Sequence, residues 1–156
     1  MPSVEETLHS LGLSLPQPSQ PVANYVPATT SGNLIFLSGH IPRNPDGSFI
    51  VGKLGQGYTT QEGYEAAKLV TLSLFASIKR ELGSLDRVTK IIRLTCLVNC
   101  TADFVEQPAI ANGASDLISN LWGTASGHSR VAMGVNSLPG GVPVEIDLVA
   151  EYSEHP

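Results

Sequence analysis

The amino-acid sequence predicts a two-layer α+β sandwich, a β-sheet covered on one face by two helices, and three features carry that prediction. Two segments place apolar residues three and four apart, Ala67, Val70, Leu74, Phe75, Ile78 and Leu82 in one and Ile110, Ala114, Leu117, Ile118 and Leu121 in the other, the spacing of helices with a buried side. Val144 to Glu151 alternates instead, with Val144, Ile146, Leu148 and Ala150 on one face and Glu145, Asp147, Val149 and Glu151 on the other. That is the period of a strand with one face in the core. Turn signals such as Ser31-Gly32-Asn33 and Pro139-Gly140-Gly141 stand between the periodic segments, so the elements are short and fold back on one another.

In chain order, Ser3-Val4-Glu5-Glu6 has the form of a capping box ahead of Leu8 and Leu11, opening a short helix that ends at Gly12. Leu13 to Pro27 carries prolines at 16, 18, 21 and 27, which cannot donate to a central ladder, so this segment is an extended arm lying over the body. The Ser31-Gly32-Asn33 turn joins a strand ending at Thr29-Thr30 to a buried strand, Leu34 to Gly39, as a hairpin. Arg43 to Gly47 reads as a turn and Phe49-Ile50-Val51 as a short edge strand. The glycine-rich run Gly52 to Gly57 lacks the Gly-Lys-Ser/Thr ending of a phosphate-binding loop and is read as a plain loop.

Thr59-Thr60-Gln61-Glu62 caps the first long helix, which reaches Leu82 and stops at Gly83. After a turn at Asp86-Arg87, Val88 to Cys100 is a strand with Val88, Ile92, Leu94, Cys96 and Val98 on one face and Arg93, Thr95 and Asn99 on the other. The second helix opens near Phe104 to Pro108 and stops at Gly123. Gly113 inside it costs about 1 kcal/mol against alanine, so Asn112-Gly113 implies close packing or a ligand. A loop from Trp122 to His128 leads to two last strands, Val131 to Leu138 and Val142 to Tyr152, read as a hairpin on Pro139-Gly140-Gly141. Residues 1–156 form one domain in this reading, with the helix and arm over 1–20 and the core over 21–153. Ile91, Leu97 and Val149 fall on the uncovered sheet face, and another copy of the chain is its natural cover.

Composition narrows the function. The chain is 42% hydrophobic and 15% charged with a net charge of -5; so few charges suit a surface partly buried between subunits. Its nine Lys and Arg form no basic stripe, which disfavours nucleic-acid binding. No apolar run reaches membrane-spanning length, and the start Met1-Pro2-Ser3-Val4-Glu5-Glu6 lacks the pattern of a secretory signal, so the expected place is cytoplasmic, off the membrane. Cys96 and Cys100 are four apart on a strand, about 13 Å, too far for a disulfide; they read as small core residues.

Among polar residues Arg130 stands out. On its strand it shares a face with Ala132, Gly134 and Asn136, neighbours small enough for a ligand to reach a guanidinium whose fork suits a carboxylate. Its alternative is a surface ion pair with Glu145 or Asp147. Tyr25, the one aromatic of the arm, either pins the arm or presents its hydroxyl to a pocket. Ser38 and Gly39 end a buried strand with small side chains, where backbone and ligand can approach. His40 follows them, but no nucleophile or carboxylate is placed beside it by the sequence.

The series Tyr25-Val26, Gly32 to Pro42, Arg130 ahead of Val135-Asn136-Ser137-Leu138-Pro139, and Val144 to Ala150 resembles the RidA/YjgF family, the reactive intermediate imine deaminases also catalogued as L-PSP endoribonucleases. The likeness spans about residues 20 to 152 and is greatest to a subgroup with an added N-terminal helix and an Asn-Gly-Ala-Ser-Asp-Leu helix, here Asn112 to Leu117. It implies a chorismate-mutase-like fold with a mixed sheet, a homotrimer, and ligand clefts between subunits. It further implies that Arg130 grips a substrate carboxylate, that Tyr25, Ser38, Gly39 and Asn112 line the cleft, and that Asp147 places the attacking water. The implied reaction is hydrolysis of 2-aminoacrylate-like enamines and imines to 2-keto acids and ammonia, without cofactor or metal. Ala132 departs from the family's cysteine and Asp147 from its glutamate. A trimer that binds or senses a keto acid without turnover is the alternative, and ribonuclease a third reading that the acidic charge opposes.

Overall fold

A computed structural model describes residues 1–21, 23–123 and 127–156. Helix α1 (Val4–Ser10) begins with the expected capping box, Ser3 Oγ accepting from the Glu6 amide and Glu6 accepting from that of Ser3. Strands β1 (Ala28–Ser31) and β2 (Leu34–His40) form the first hairpin, with Ser31 opposite Leu34. Helix α2 (Thr60–Leu82) carries the Thr59–Glu62 capping box and ends on Gly83 at φ 86°, a left-handed conformation that glycine adopts without strain. Strand β3 (Val88–Asn99), helix α3 (Gln107–Trp122), β4 (Ser129–Val135) and β5 (Val144–Tyr152) complete the order.

The five strands lie in the order β1-β2-β5-β3-β4, and this corrects the expected last hairpin. β4 runs parallel to β3 on one side while β5 runs antiparallel to β3 on the other. The Pro139-Gly140-Gly141 turn reverses the chain as read, but the chain crosses the end of β3 before it re-enters the sheet. Asn99 at that end holds the crossing: its amide donates to Val142 O at 3.1 Å and Gly52 O at 3.3 Å, and its oxygen accepts from Lys53 Nζ at 3.0 Å. With α3 between β3 and β4 the parallel pair is a β-α-β crossover, so the sheet is mixed. Phe49 makes a single bridge to Arg43 in place of the expected edge strand.

Helices α2 and α3 cover one sheet face. The core between the layers contains Ile35, Leu74, Phe75, Ile78, Leu94, Ile110, Ile118, Ile146 and Leu148, all nearly inaccessible, each contributing about 1.5–3 kcal/mol by burial. The two helices approach closely at Gly113, where a Cβ would lie 2.1 Å from Tyr64 O and 3.2 Å from Ala67 Cβ; packing accounts for that glycine. The two irregularities of β3 against β5 insert Thr89 and Ile92, and they shift the phase of the strand's start. Ile91 is therefore buried in the core and Ile92 half-exposed, the reverse of the expected alternation. The other sheet face is open and presents Phe36, Met133, Leu97 and Val149. The loop expected between Trp122 and His128 lies, at 124–126, outside the described residues, as does position 22 of the arm. Among the described residues no helix is long and apolar enough to cross a membrane.

Candidate functional site

The strand β4 brings Arg130 to the edge of the sheet, and the register Arg130–Leu94–Leu148 sends its side chain to the helix side. There α3 holds it by neutral oxygens: Nη1 donates to Asn112 Oδ1 at 2.8 Å and Ser115 Oγ at 3.0 Å, and Nη2 to Pro108 O at 3.4 Å. The ion pair with Glu145 or Asp147 is not formed, because those carboxylates stand on the open face, each between core residues of β5. The one ion pair among the described residues is Lys79–Glu5, at 2.6 Å. Arg130 is thus a half-buried cation whose charge has no acidic partner among them. Asn112, expected to line the cleft, is a holder of this guanidinium, and Ser115, three residues on in the Asn112 to Leu117 motif, is a second holder to which the sequence assigned no role.

Behind Arg130 stands His128, with Nε2 2.9 Å from Ser115 Oγ. Burial first, and the Arg130 charge second, lower its pKa from the ordinary value. Arg130 likewise acts on Cys96, but burial dominates there and pushes the thiol up to about 12, so Cys96 is an inert core residue. Cys100 is also buried and free.

A second cluster forms at the far side of the sheet, around a cavity of about 210 Å³ lined by Tyr25, Ser38, Gly39, Arg43, Phe49 and Glu145, among others. A bulge builds it. Leu37 pairs with Leu148 but His40 pairs with Ile146, so β2 spends three steps where β5 spends two. The extra residue leaves Gly39 outside and turns His40 inward. The space above Gly39 belongs to Glu145: a Cβ there would lie 2.4 Å from Glu145 Oε1. Glu145 is half-buried, and burial first and the charge of Asp147 second raise its pKa.

The other cavity residues have definite tasks. Tyr25 is 48% exposed and presents its ring at the rim. Ser38 donates its hydroxyl hydrogen to Val26 O at 2.7 Å, which ties the arm to β2 beside the cavity. Arg43 stacks over the Phe49 ring at 4.5 Å and donates to Gly47 O. His40 is buried, with Nδ1 2.7 Å from Ser38 O and Nε2 2.8 Å from Ser77 Oγ. Burial is the largest influence on it and lowers its pKa, so it is a neutral core histidine that braces α2 against the bulge. Asp147 is exposed on the open face; the carboxylate at the cavity is Glu145. Sequence periodicity sets both acids on one face, and the β2 bulge that selects between them has no signature beyond the small pair Ser38-Gly39.

The structure therefore brings Tyr25, Ser38 and Gly39 together with Glu145, and Arg130 together with Asn112, and keeps the two groups apart. β2 and β4 are separated by β5 and β3, three strand spacings or about 14 Å, and Arg130 and Glu145 lie on opposite faces. Among the described residues no three His, Cys, Asp or Glu side chains gather as a metal cluster.

A mixed five-stranded sheet with its helices on one face, bearing on its edge strand β4 an arginine with no acidic partner among the described residues, and on its central strand β5 a carboxylate over the glycine bulge of β2, defines an α+β protein of chorismate-mutase-like architecture. The chain belongs to the family described as "YjgF/chorismate_mutase-like, putative endoribonuclease", which matches residues 5–152. It is 40% identical to protein TCP17 of Trypanosoma cruzi over 151 residues, 96% of this chain and 94% of that protein. Among solved structures it is similar to a protein of unknown function from Agrobacterium tumefaciens (36% identity, TM-score 0.88, covering 96% of this chain and 92% of that one). It is also similar to a "putative endoribonuclease" from Shewanella oneidensis (34% identity, TM-score 0.90, covering 96% and 99%).

Proposed function

We propose that the protein hydrolyses 2-imino and enamine acids to 2-keto acids and ammonia at clefts between the subunits of a homotrimer. The observation that carries this reading is the separation of Arg130 from the Glu145 cavity. Each is half of a site for a small carboxylate-bearing electrophile, and one chain cannot bring them together. A second copy that lays its β4–α3 edge against the mouth of the cavity completes the site, and the apolar open face supplies the surface for that association.

In the completed cleft Arg130 binds the substrate carboxylate by a two-pronged, charge-assisted pair of hydrogen bonds. Glu145 takes a proton from water as its oxygen bonds to the imine carbon. Protonated Glu145 returns that proton to the imine nitrogen to give the carbinolamine. It then takes the hydroxyl proton and passes it to the amine as the C=O bond forms and the C–N bond breaks, and ammonia and the keto acid leave with Glu145 restored. A Glu pKa raised by burial and by Asp147 suits this work, since a stronger base near neutral pH abstracts the proton more readily. An imine needs no covalent activation, so positioning and charge suffice. Glu145 takes the water-placing role that the resemblance carried onto Asp147, because Glu145 borders Tyr25, Ser38 and Gly39. A net charge of -5 speaks against RNA cleavage, whatever the names of relatives.

The test is ammonia release from imines generated in situ by an amino acid oxidase. Arg130→Ala keeps its helical circular dichroism and loses activity and pyruvate affinity by about 100-fold, the loss of two charge-assisted hydrogen bonds at roughly 1.5 kcal/mol each. Pyruvate binding without ammonia release would show a keto-acid sensor instead, and turnover unchanged in Arg130→Ala would overturn the site.

A further inference from the structure

From the hydrogen bonds behind Arg130 we infer that Ser115 and His128 form a positioning pair that couples capture of a carboxylate to uptake of a proton by His128. This rests on the reading of Arg130 as the carboxylate grip and assigns two residues to it.

The argument begins with donors and acceptors. Arg130 can only donate, so Ser115 Oγ accepts from its Nη1 at 3.0 Å. Among the described residues, the remaining polar neighbour of that hydroxyl is His128 Nε2 at 2.9 Å. In the neutral ring with its proton on Nδ1, Nε2 accepts the Ser115 hydrogen. The hydroxyl is then committed on both sides, and its oxygen faces the guanidinium. Protonation of Nε2 reverses the second bond: the imidazolium donates to Ser115 Oγ, and the hydroxyl hydrogen is released to point at whatever Arg130 holds.

The charges favour the same direction. β4 brings Arg130 beside His128. α3 contains one charged side chain, Asp116, which accepts from the Tyr64 hydroxyl of α2 at 2.8 Å. β3 contributes Arg93, exposed, in register with the neighbouring Ser129. Two cations, Arg130 and a protonated His128, would therefore stand together without a neutralising acid among the described residues, and burial adds to the cost of the second charge. In the free protein His128 is held neutral, consistent with its lowered pKa. A bound carboxylate supplies the missing negative charge, removes that cost, and accepts the freed Ser115 hydrogen. By linkage, whatever raises the His128 pKa on binding also makes binding tighter as pH falls. The physical consequence is a site that takes its acid more strongly on the acidic side of neutrality and lets the product go on the basic side.

Calorimetry of pyruvate binding to the full-length protein, in PIPES and in Tris buffers of different ionisation heat over pH 6 to 8.5, reads the proton directly. Wild-type protein should take up a fraction of a proton per site, with affinity rising by up to about ten-fold per pH unit where one proton is linked. His128→Gln keeps a hydrogen-bonding partner for Ser115 without a titratable ring, and should bind pyruvate with a flat pH profile and no uptake. Ser115→Ala should weaken binding several-fold and lower the uptake, because the hydroxyl that links Arg130 to His128 is gone. Glu145→Gln separates the other titrating group of the cleft and should leave the uptake in place. Equal proton uptake in wild type and His128→Gln, or none in the wild type, overturns the inference while the Arg130 grip stands. Pyruvate binding that is absent, or indifferent to Arg130→Ala, overturns both.

Discussion

Glu145 and Asp147 stand two residues apart on one face of β5, and the charge of Asp147 makes ionisation of Glu145 harder. Burial is the larger influence on Glu145 and Asp147 the second. Replacing Asp147 by Asn removes the smaller one only, so the acidic limb of kcat/KM, which rises as Glu145 loses its proton, should move to lower pH without vanishing. A profile measured from pH 4.5 to 8 checks this; an unmoved limb would place the titrating group elsewhere. Glu145→Gln should cost about 10²–10⁴-fold in rate while pyruvate still binds. Arg130 stood out in the sequence as a candidate because its strand neighbours are small, and the family resemblance carried the carboxylate grip onto it. Glu145 was not, since period two cannot rank two acids on the same face. Ser115 lay within the Asn112 to Leu117 motif without a role assigned to it, and His128 carried no signal, for each becomes meaningful only when α3 lies across the edge of β4.

At the level of elements, caps and stripes told where helices begin and end. Both capping boxes formed as read, and Gly83 and Gly123 ended α2 and α3. Adjacency was harder. A Pro-Gly-Gly turn reports that the chain reverses, yet β4 and β5 reverse with β3 between them, and hydrogen bonding between distant strands leaves no local trace. The bulges had the same effect on phase, so Ile91 and Ile92 exchanged places. Gly113 offers a test of the helix layer. Gly113→Ala would set a methyl against Tyr64 O and the Ala67 side chain, an overpacked contact worth about 1–3 kcal/mol, despite alanine's better helix propensity. Urea unfolding should show a lower midpoint; a raised one would mean that the two helices slide apart freely. Asn112→Ala one residue earlier should instead spare the midpoint and weaken carboxylate binding, since its side chain is exposed and engages Arg130.

For the molecule as a whole, the open sheet face sets the expectation. Phe36 and Met133 are 41% and 43% exposed, with Leu97 and Val149 between their strands, an apolar surface that a lone chain would leave to water. Light scattering should give three times the 16.5 kDa chain mass. The double change Phe36→Glu with Met133→Glu puts like charges at the seam, and should give single chains that have lost ammonia release although Arg130 and Glu145 remain. Active single chains would refute the shared cleft. Two-layer architecture and the helix-covered face were readable from periodicity. The approach of Glu145 to Gly39 was not, because it depends on a bulge of one residue.

Strand β5, flanked by β2 and β3 in the sheet, is also the last of the five in sequence. Everything before it, including the β1–β2 hairpin and the β3-α3-β4 unit, has to wait on the ribosome with its shared neighbour missing. Because the ladders that join those halves both need residues 144–152, cooperative closure is deferred until those residues have been made, and non-local pairing of this kind is slow. A nascent chain stalled just short of Val144 should accordingly remain open to protease, while one released beyond Tyr152 should become resistant in a single step.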